Sequence, residues 1–422
     1  MRELDRLGTE FLVVEPVKTE YYRALEPVFG RRLKRFSFDG NAAGDEGPDF
    51  LAFDPMRLQP GVSVARHASY LKSCFESAFP LDPILALMLE AGIRSYYTSS
   101  NEHGCGLKLF SRGGRQVHRS APVRITDAKG ETVSRGDRVY PSLAGFQRFF
   151  LDYFLPVRVV RARSKAEGNP RMAQMLEEWR QIFERRFDAL MSGMIGVAAR
   201  KADRQFLADQ SDYDCFGALL NGPCVVELDG IPDNDQKALM MAFLLTFMFE
   251  RRQAEAVTAA EGGQDSGGGK LRHVMVVEEA HRVLANPSHG RRGDVAGADS
   301  RSNAVGLFVD MLAEIRAFGQ GLIIVEQIPT KIVPEAVKNT NLKIMLRLTS
   351  ADDRDFLGEA MNFTEEQKRF VTGLRAQPGH GIDMVVFEQQ LDQPKLLQLP
   401  LGDPPSNAGR TGPVHDRFFR PR

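Results

Sequence analysis

Short runs of apolar residues recur along the chain, rich in the β-branched and aromatic side chains that favour strands. Segments with helical periodicity separate most of these runs, and this alternation is typical of a mainly parallel sheet covered by helices. The pattern predicts an α/β fold. The predicted strands are residues 11–14, 224–228, 273–277, 322–325, 342–348 and 382–387.

The middle of the chain has a different pattern, because most segments between residues 63 and 221 read as helices, for example residues 80–97, 143–155 and 171–199. We interpret this part as a large helical insertion, with a small hairpin region at 104–137, that divides an α/β core into residues 1–62 and 222–401. Residues 402–422 are predicted to be a flexible tail. Two Gly- and Ser-rich stretches predict mobile loops, at residues 261–270 and 286–303.

Composition is that of an ordinary globular protein, with 43% hydrophobic residues and 55 basic against 55 acidic side chains. A neutral balance argues against a protein that coats nucleic acid or an anionic membrane through bulk charge. The four cysteines form no C-x-x-C pair, so a structural metal site is disfavoured and a cytoplasmic location is expected. The longest apolar stretch, residues 238–249, is shorter than the roughly 20 residues of a membrane span and predicts a buried helix.

The segment with the clearest chemistry is residues 271–281, where an apolar strand ends in Glu278 and Glu279. Open α/β sheets bind their ligands at the carboxyl edge, which is where these two carboxylates are expected. In nucleotide hydrolases one such carboxylate orients the water around Mg²⁺, and the next polarises the attacking water. The alternative is a strand followed by a helix start, where acidic residues suit the helix dipole.

A helix is predicted over residues 303–319, with Asn303 as its N-cap and Gly319 as its end. Arg316 lies on its polar side. The next strand ends in Gln327, whose amide suits either a hydrogen bond that reports the γ-phosphate or a cap on loose backbone groups.

The following strand alternates so that Lys343, Met345 and Arg347 share one face. Two cations projecting from a strand favour a phosphate or a neighbouring subunit as their target, and the alternative is an edge strand with a solvated basic face. Capping boxes are predicted at 350–353 and 364–367.

Five blocks of the sequence occur in a characteristic order: FLVVEPVKTEY at 11–21, VVEEAH at 276–281, DMLAEIRAFG at 310–319, QIP at 327–329 and NTNLKIMLRL at 339–348. Taken together they resemble the HerA branch of the HerA/FtsK ATPases. The resemblance implies a RecA-like core, ATP and Mg²⁺ as cofactors, a homo-hexameric ring and double-stranded DNA as the translocated partner.

The resemblance also implies roles for single residues. Glu278 would orient the Mg²⁺-bound water and Glu279 would be the general base. Arg316 and Arg347 would lie near the γ-phosphate, one of them reaching across the ring. Two further residues, Glu15 and Glu20, match the acidic strand end and turn that follow the P-loop helix in this family, and Lys343 lies in the fifth block.

An ATPase of this kind requires G-x-x-x-x-G-K-[ST], which cradles the phosphates, and the 422 residues contain no such motif. The family order places that motif upstream of residue 1, together with a β-barrel. We expect a start site assigned too late, a P-loop on another chain, or a protein that has lost nucleotide binding.

Three alternative functions are therefore considered, in order of preference. The first is a HerA-like DNA translocase or helicase subunit in DNA repair or anti-phage defence, with a nuclease or other effector as partner. The second is a non-catalytic scaffold or ring subunit that complements a P-loop-bearing chain, and the third is a conjugation or secretion-type ATPase. For DNA contact, the predicted loop residues are Arg291, Arg292 and Arg301.

Overall fold

The apolar runs at residues 11–14, 224–228, 273–277 and 322–325 become strands of one six-stranded sheet in the computed structural model. The strands of the chain are β1 (Glu10–Glu15), β2 (Lys34–Ser37), β3 (Asp49–Phe50), β4 (Leu107–Arg112), β5 (Arg115–Ser120), β6 (Val123–Thr126), β7 (Thr132–Arg135), β8 (Cys224–Glu227), β9 (His273–Glu278), β10 (Gln320–Val325), β11 (Leu342–Met345), β12 (Ala376–Gln377), β13 (Gly381–Glu388) and β14 (Lys395–Leu399). The order of the six-stranded sheet is β10–β9–β1–β8–β2–β3. Pairing is parallel between β1 and both its neighbours, between β8 and β2, and between β2 and β3.

The sheet confirms the predicted α/β class, with a mainly parallel sheet flanked by helices as in RecA-like folds. The structure describes residues 1–38, 49–59, 61–79, 81–99, 105, 107–112, 115–120, 123–126, 132–135, 141–158, 170–209, 215–261, 270–287, 295–377, 381–388 and 393–399. The chain divides into two units. The first comprises Met1–Glu278 and Arg291–Ile324, and the second comprises Glu279–Gly290 and Val325–Arg422. The insertion boundaries at residues 63 and 221 stay a prediction.

Helices surround the parallel sheet of the first unit, and most of them contribute buried residues to its core. They are Arg2–Arg6, Tyr21–Phe29, Val64–Ala78, Pro83–Thr98, Leu143–Arg148, Pro170–Ser192, Met194–Asp209, Cys215–Leu220, Asn234–Glu261 and Val295–Glu314. The apolar stretch 238–249 is buried throughout, as predicted. No helix among the described residues is both long and apolar enough to cross a membrane.

A buried polar contact joins two of these helices. His67 of the helix Val64–Ala78 and Glu250 of the helix Asn234–Glu261 are both fully buried, and His67 Nδ1 lies 3.0 Å from each carboxylate oxygen. The rings of Tyr97 and Phe247 pack edge-on against the imidazole. A hydrogen-bonded pair in an apolar setting has one well-defined geometry, so the contact fixes the register of the two helices.

Three predicted helix boundaries differ in the structure. The predicted helix 171–199 is two helices, because the chain breaks at Gly193. The predicted helix 143–155 changes to a π-helical turn at Phe149–Phe154. Asn303 is not an N-cap: the helix begins at Val295, in a stretch without apolar periodicity, and Gly319 ends it after a 3₁₀ turn with a φ of 71°.

The second unit is built on an antiparallel sheet, in which β13 pairs with β11, β12 and β14. Two predicted strands, 342–348 and 382–387, therefore lie outside the parallel sheet. Helices Pro334–Asn339, Ala351–Ala360 and Glu365–Phe370 complete this unit. Its core consists of Met345, Met361, Phe363, Val371, Leu374, Val385, Phe387 and Leu396.

One of the two predicted capping boxes forms. Thr364 and Gln367 exchange side-chain and backbone hydrogen bonds at the start of the helix Glu365–Phe370. Ser350 makes no side-chain cap bond. Asp353, its predicted partner, instead accepts hydrogen bonds from the backbone N–H (3.1 Å) and hydroxyl (2.8 Å) of Thr330, because this turn offers two donors to a buried carboxylate.

Gly92 provides a test of the packing between the helix Pro83–Thr98 and the π-helical turn. A Cβ atom at Gly92 would collide with the ring of Phe150, which is fully buried. We expect Gly92→Ala to lower the thermal unfolding midpoint, with overpacking costing about 1–3 kcal/mol. Gly306 is the matched control, because it also lies in a helix and a Cβ there meets nothing within 4 Å. Gly306→Ala should leave the midpoint unchanged or raise it slightly, and equal effects of the two substitutions in differential scanning fluorimetry would contradict this packing.

Candidate functional site

Three glutamates end three adjacent strands of the parallel sheet. The register pairs Glu15 of β1 with Glu227 of β8, and Val14 with Val277, so that Glu278 of β9 comes beside Glu15 on the other side. We call Glu278, Glu15 and Glu227 the carboxylate row. Because the strands are parallel, their carboxyl ends meet at the sheet edge where open α/β folds bind ligands.

Glu15, at the centre of the row, caps the turn that follows β1. Its side chain is fully buried, with one oxygen accepting from the Glu20 backbone N–H at 2.8 Å and the other from the Tyr21 N–H at 3.4 Å. Burial raises the pKa of Glu15 to about 7, the two N–H donors oppose that rise, and the charges of Glu278 and Glu227 add to it. The Glu15 carboxyl is thus balanced between its neutral and charged forms near neutral pH.

Glu278 is bonded to a residue that sequence analysis did not single out. The hydroxyl of Tyr21 makes a hydrogen bond with the Glu278 carboxylate. Burial raises the pKa of Tyr21 well above its usual range, and the nearby charge of Glu278 adds to the rise, so the phenol stays protonated and donates. Tyr21 begins the helix Tyr21–Phe29, whose position is set by Glu15. Tyr21 therefore contacts two carboxylates of the row, Glu15 through its backbone N–H and Glu278 through its hydroxyl.

Glu227, at the other end of the row, is ion-paired. Arg35 Nε lies 3.0 Å from Glu227 Oε1, and the guanidinium also stacks on the ring of Tyr22 at 4.5 Å from its centroid. Burial raises the pKa of Glu227, and the hydrogen bond from Arg35 opposes this. Neither Glu227 nor Arg35 was predicted as a site residue, although the tripeptide Val-Val-Glu ends each of the strands β1, β8 and β9. That repeated tripeptide was the signal that could have identified Glu227.

The second unit holds its own cluster, built from Glu279, His281, Glu326 and Gln327, which we call the His281 cluster. Glu279 has left-handed backbone angles, with φ 50° and ψ 44°. Its Oε1 accepts a 3.4 Å hydrogen bond from the Gln327 amide. The structure thus brings together the two predicted residues Glu279 and Gln327.

His281 and Glu326 form the short contact of this cluster, with His281 Nδ1 2.8 Å from Glu326 Oε2. Glu326 also accepts from three backbone N–H groups, those of His281, Gln327 and Ile328. These hydrogen bonds lower the pKa of Glu326 despite its burial, so it is a carboxylate at neutral pH. Neither His281 nor Glu326 was a predicted site residue, because a pairing across 45 positions leaves no local pattern.

The predicted face shared by Lys343 and Arg347 is wrong. Lys343 is buried and donates to the Thr340 carbonyl oxygen at 2.7 Å, with its ammonium above the Phe387 ring. Burial lowers the pKa of Lys343. Arg347 follows the end of β11 at Met345 and is exposed. The strand ends two residues earlier than the alternation requires, so the two cations have different environments.

Other predicted residues lie on the surface or outside the described residues. Arg316 is exposed in the 3₁₀ turn Ile315–Phe318 of the first unit. Glu20 is exposed and lies 3.6 Å from Lys18, while its backbone N–H is what binds Glu15. Arg291 and Arg292 lie outside the described residues, and of Arg301 only the backbone, inside the helix Val295–Glu314, is described.

The carboxylate row offers donors that suit a hard cation. Carboxylate oxygens are the ligands that Mg²⁺ prefers, either directly or through its water shell. Burial beside like charge disfavours ionisation of Glu15, so a cation there would stabilise the charged form. The row therefore fits Mg²⁺, whereas the sequence contains no G-x-x-x-x-G-K-[ST] motif for the phosphates.

No known protein family matches the chain, and no curated protein matches it. Solved structures that are similar in part include the genome packaging NTPase B204 from Sulfolobus turreted icosahedral virus 2 in complex with ATP-gammaS, at 18% identity over 43% of this chain and 70% of that chain, with a TM-score of 0.26. VirB4 of Thermoanaerobacter pseudethanolicus is similar at 14% identity over 76% of this chain and 89% of that chain, with a TM-score of 0.40.

Glu15 makes the stability of the first unit depend on pH in a defined direction. Its folded pKa is raised to about 7 from 4.5, so the neutral carboxyl is favoured by folding, and this stabilisation is lost as pH rises through about 7. Glu15→Gln cannot ionise. We expect the difference between the unfolding midpoints of Glu15→Gln and the wild type to shift in favour of Glu15→Gln as pH rises from about 5 to about 8. Scanning fluorimetry measures both midpoints.

Glu10→Gln is the matched control for this pH series, because Glu10 lies on the same strand with an exposed side chain. Its midpoint should follow that of the wild type at every pH. A constant difference between Glu15→Gln and the wild type across the series would show that Glu15 keeps its charge in the folded protein.

Proposed function

We propose that this chain is the catalytic-carboxylate part of an ATP-hydrolysing DNA translocase subunit of the HerA type. The observation that carries the proposal is the position of Glu278, at the end of β9 and beside Glu15 in the carboxylate row. The ordered sequence blocks support the same function. The proposal includes a hexameric ring, double-stranded DNA as the translocated partner, and ATP with Mg²⁺.

In this proposal the residues of the row hold and orient a Mg²⁺ ion, which supplies charge neutralisation at the phosphates. Glu278 orients the coordinated water, and the Tyr21 hydroxyl holds the Glu278 carboxylate in one orientation. Glu15 supplies a further charge that its pKa of about 7 makes available when a cation is near.

Glu279, the next residue of the chain, is assigned the general base. Its carboxylate accepts a proton from the attacking water, and Gln327, bonded to Glu279 Oε1, orients that carboxylate. Arg316 and Arg347 are exposed, as a residue that reaches the nucleotide of a neighbouring subunit must be. The phosphate-binding loop has to come from sequence other than these 422 residues.

The proposed role of Glu279 is tested with a polypeptide that carries an in-frame P-loop ahead of this chain. DNA-stimulated ATP hydrolysis by Glu279→Gln should fall about a hundredfold or more, because general-base catalysis contributes at least that much. Glu335→Gln is the matched control, since Glu335 is an exposed acid of the second unit. Unchanged turnover in Glu279→Gln would refute the role of Glu279, and the 422-residue chain alone should hydrolyse little ATP.

The edge of the parallel sheet favours a second candidate function, a ring or scaffold subunit that pairs with a P-loop-bearing chain. β10 is an edge strand, yet its residues 321–325 are uncharged and apolar, which is typical of strands covered on both faces. Ile323 is 45% exposed, against 2% for Val276 of the neighbouring β9. Edges left open in solution are normally protected by charged residues, so β10 is suited to receive another strand.

Mixing this chain with a P-loop-bearing partner tests the second function. Hydrolysis should appear only in the mixture, and Arg316→Ala or Arg347→Ala should reduce it by about a thousandfold if that arginine acts on the partner's nucleotide. Arg369→Ala, at another exposed position, is the control. Absence of any complex in light scattering would contradict this function.

A further inference from the structure

Three side chains of the His281 cluster converge on a single point. The donor atoms of Glu279, His281 and Glu326 all lie within 4.8 Å of one another. His281 Nδ1 is 2.8 Å from Glu326 Oε2 and 3.7 Å from Glu279 Oε2. The imidazole nitrogen thus faces one oxygen from each of two carboxylates.

Both carboxylates are held in the orientation that presents this oxygen. Glu326 uses Oε1 to accept the backbone N–H groups of Gln327 and Ile328, at 2.9 and 3.1 Å. Glu279 uses Oε1 to accept the Gln327 amide. The Oε2 atom of each carboxylate faces the His281 imidazole, and Glu326 Oε2 also accepts the His281 backbone N–H at 3.2 Å. Hydrogen bonds that orient the ligands from outside are a regular feature of protein metal sites.

The cluster has one buried ligand side chain and two that are partly exposed to solvent. Glu326 is 6% exposed, which fixes one donor, whereas the side chains of Glu279 and His281 are 23% and 22% exposed. The partly open side gives an ion a route from solvent. The same open side leaves room for water as a further ligand, as in zinc sites with three protein ligands.

The donor set and the spacing identify the class of ion. One imidazole nitrogen with two carboxylate oxygens suits Zn²⁺ and its first-row neighbours, whereas Mg²⁺ prefers oxygen alone. A tetrahedral ion with bonds of about 2.0–2.2 Å holds its ligand atoms about 3.3–3.6 Å apart. The distances from His281 Nδ1 to Glu326 Oε2 (2.8 Å) and to Glu279 Oε2 (3.7 Å) lie on either side of that separation, so the imidazole reaches it with each carboxylate after a shift of about half an ångström.

We propose that Glu279, His281 and Glu326 form a binding site for a divalent transition-metal ion of the Zn²⁺ class. The site is distinct from the carboxylate row assigned to Mg²⁺, and all three ligands belong to the second unit. One consequence rests on the proposed function: an ion at this site occupies the Glu279 carboxylate and withdraws the general base. Zinc then inhibits hydrolysis without competing with ATP.

Binding is measured on the 422-residue chain itself, by calorimetric titration with Zn²⁺ and by the visible absorption of Co²⁺, which is intense for four-coordinate ions. The wild type should bind one Zn²⁺ in this cluster, and an excess of Mg²⁺ should not displace it. His281→Ala and Glu326→Gln should each weaken binding by about tenfold or more and remove the Co²⁺ signal. Glu335→Gln should bind like the wild type.

A thermal shift separates loss of the site from loss of folding. Zn²⁺ at saturating concentration should raise the unfolding midpoint of the wild type and of Glu335→Gln, because it binds the folded state. His281→Ala should keep a cooperative transition that Zn²⁺ no longer moves. Equal Zn²⁺ affinity in the wild type and in His281→Ala overturns the proposal, as does absence of binding to the wild type. Neither result depends on ATP hydrolysis, so the zinc site and the translocase function can fail independently of each other.

Discussion

Placing three carboxyl groups side by side at the end of a buried sheet is the constraint on which the first unit depends. Burial and like charge both disfavour ionisation, and each glutamate meets this cost differently. Glu227 has Arg35, Glu15 accepts two backbone N–H groups, and Glu278 is bonded to Tyr21. The turn after β1 exists in its observed form because Glu15 binds its N–H groups, so the same interactions that make the row tolerable also shape the chain around it.

The backbone at the end of β9 shows a second constraint. Glu279 has a positive φ, which is uncommon for a residue with a long side chain and is held only where surrounding contacts over-determine it. Here the contact is the Gln327 amide at Glu279 Oε1. With these left-handed backbone angles, the Glu279 carboxylate lies 3.7 Å from the His281 imidazole. The unusual backbone conformation of Glu279 therefore accompanies its contacts with Gln327 and His281.

The sequence predicted those parts of the fold that have a local signal. Continuous apolar runs located β1, β8, β9 and β10, because strands covered on both faces must be apolar throughout. The short strands β2 and β3 were missed, since they carry charge and depend on pairing for their conformation, β2 with β8 and β3 with β2. Glu278, Glu279 and Gln327 were predicted as site residues from their places at the ends of apolar runs. Tyr21, His281 and Glu326 were missed because their significance arises from contacts across long stretches of chain. Alternation misplaced Lys343, since burial over Phe387 and a bond to Thr340 outweigh exposure of its charge.

The carboxylate row and the β10 edge have a common explanation in the proposed function, in which the site is completed by another segment. A row of acids with an arginine partner at one end is suited to a cation, while phosphates bound nearby would need N–H groups and a lysine to offset the negative charge. Those donors are what a P-loop provides, and the sequence lacks one. An added strand at β10 would cover the exposed Ile323 and would place whatever follows that strand at the same carboxyl edge, provided that it runs parallel to its neighbours. In the proposed function, one added segment would therefore meet both features, the apolar edge through packing and the acidic row through charge.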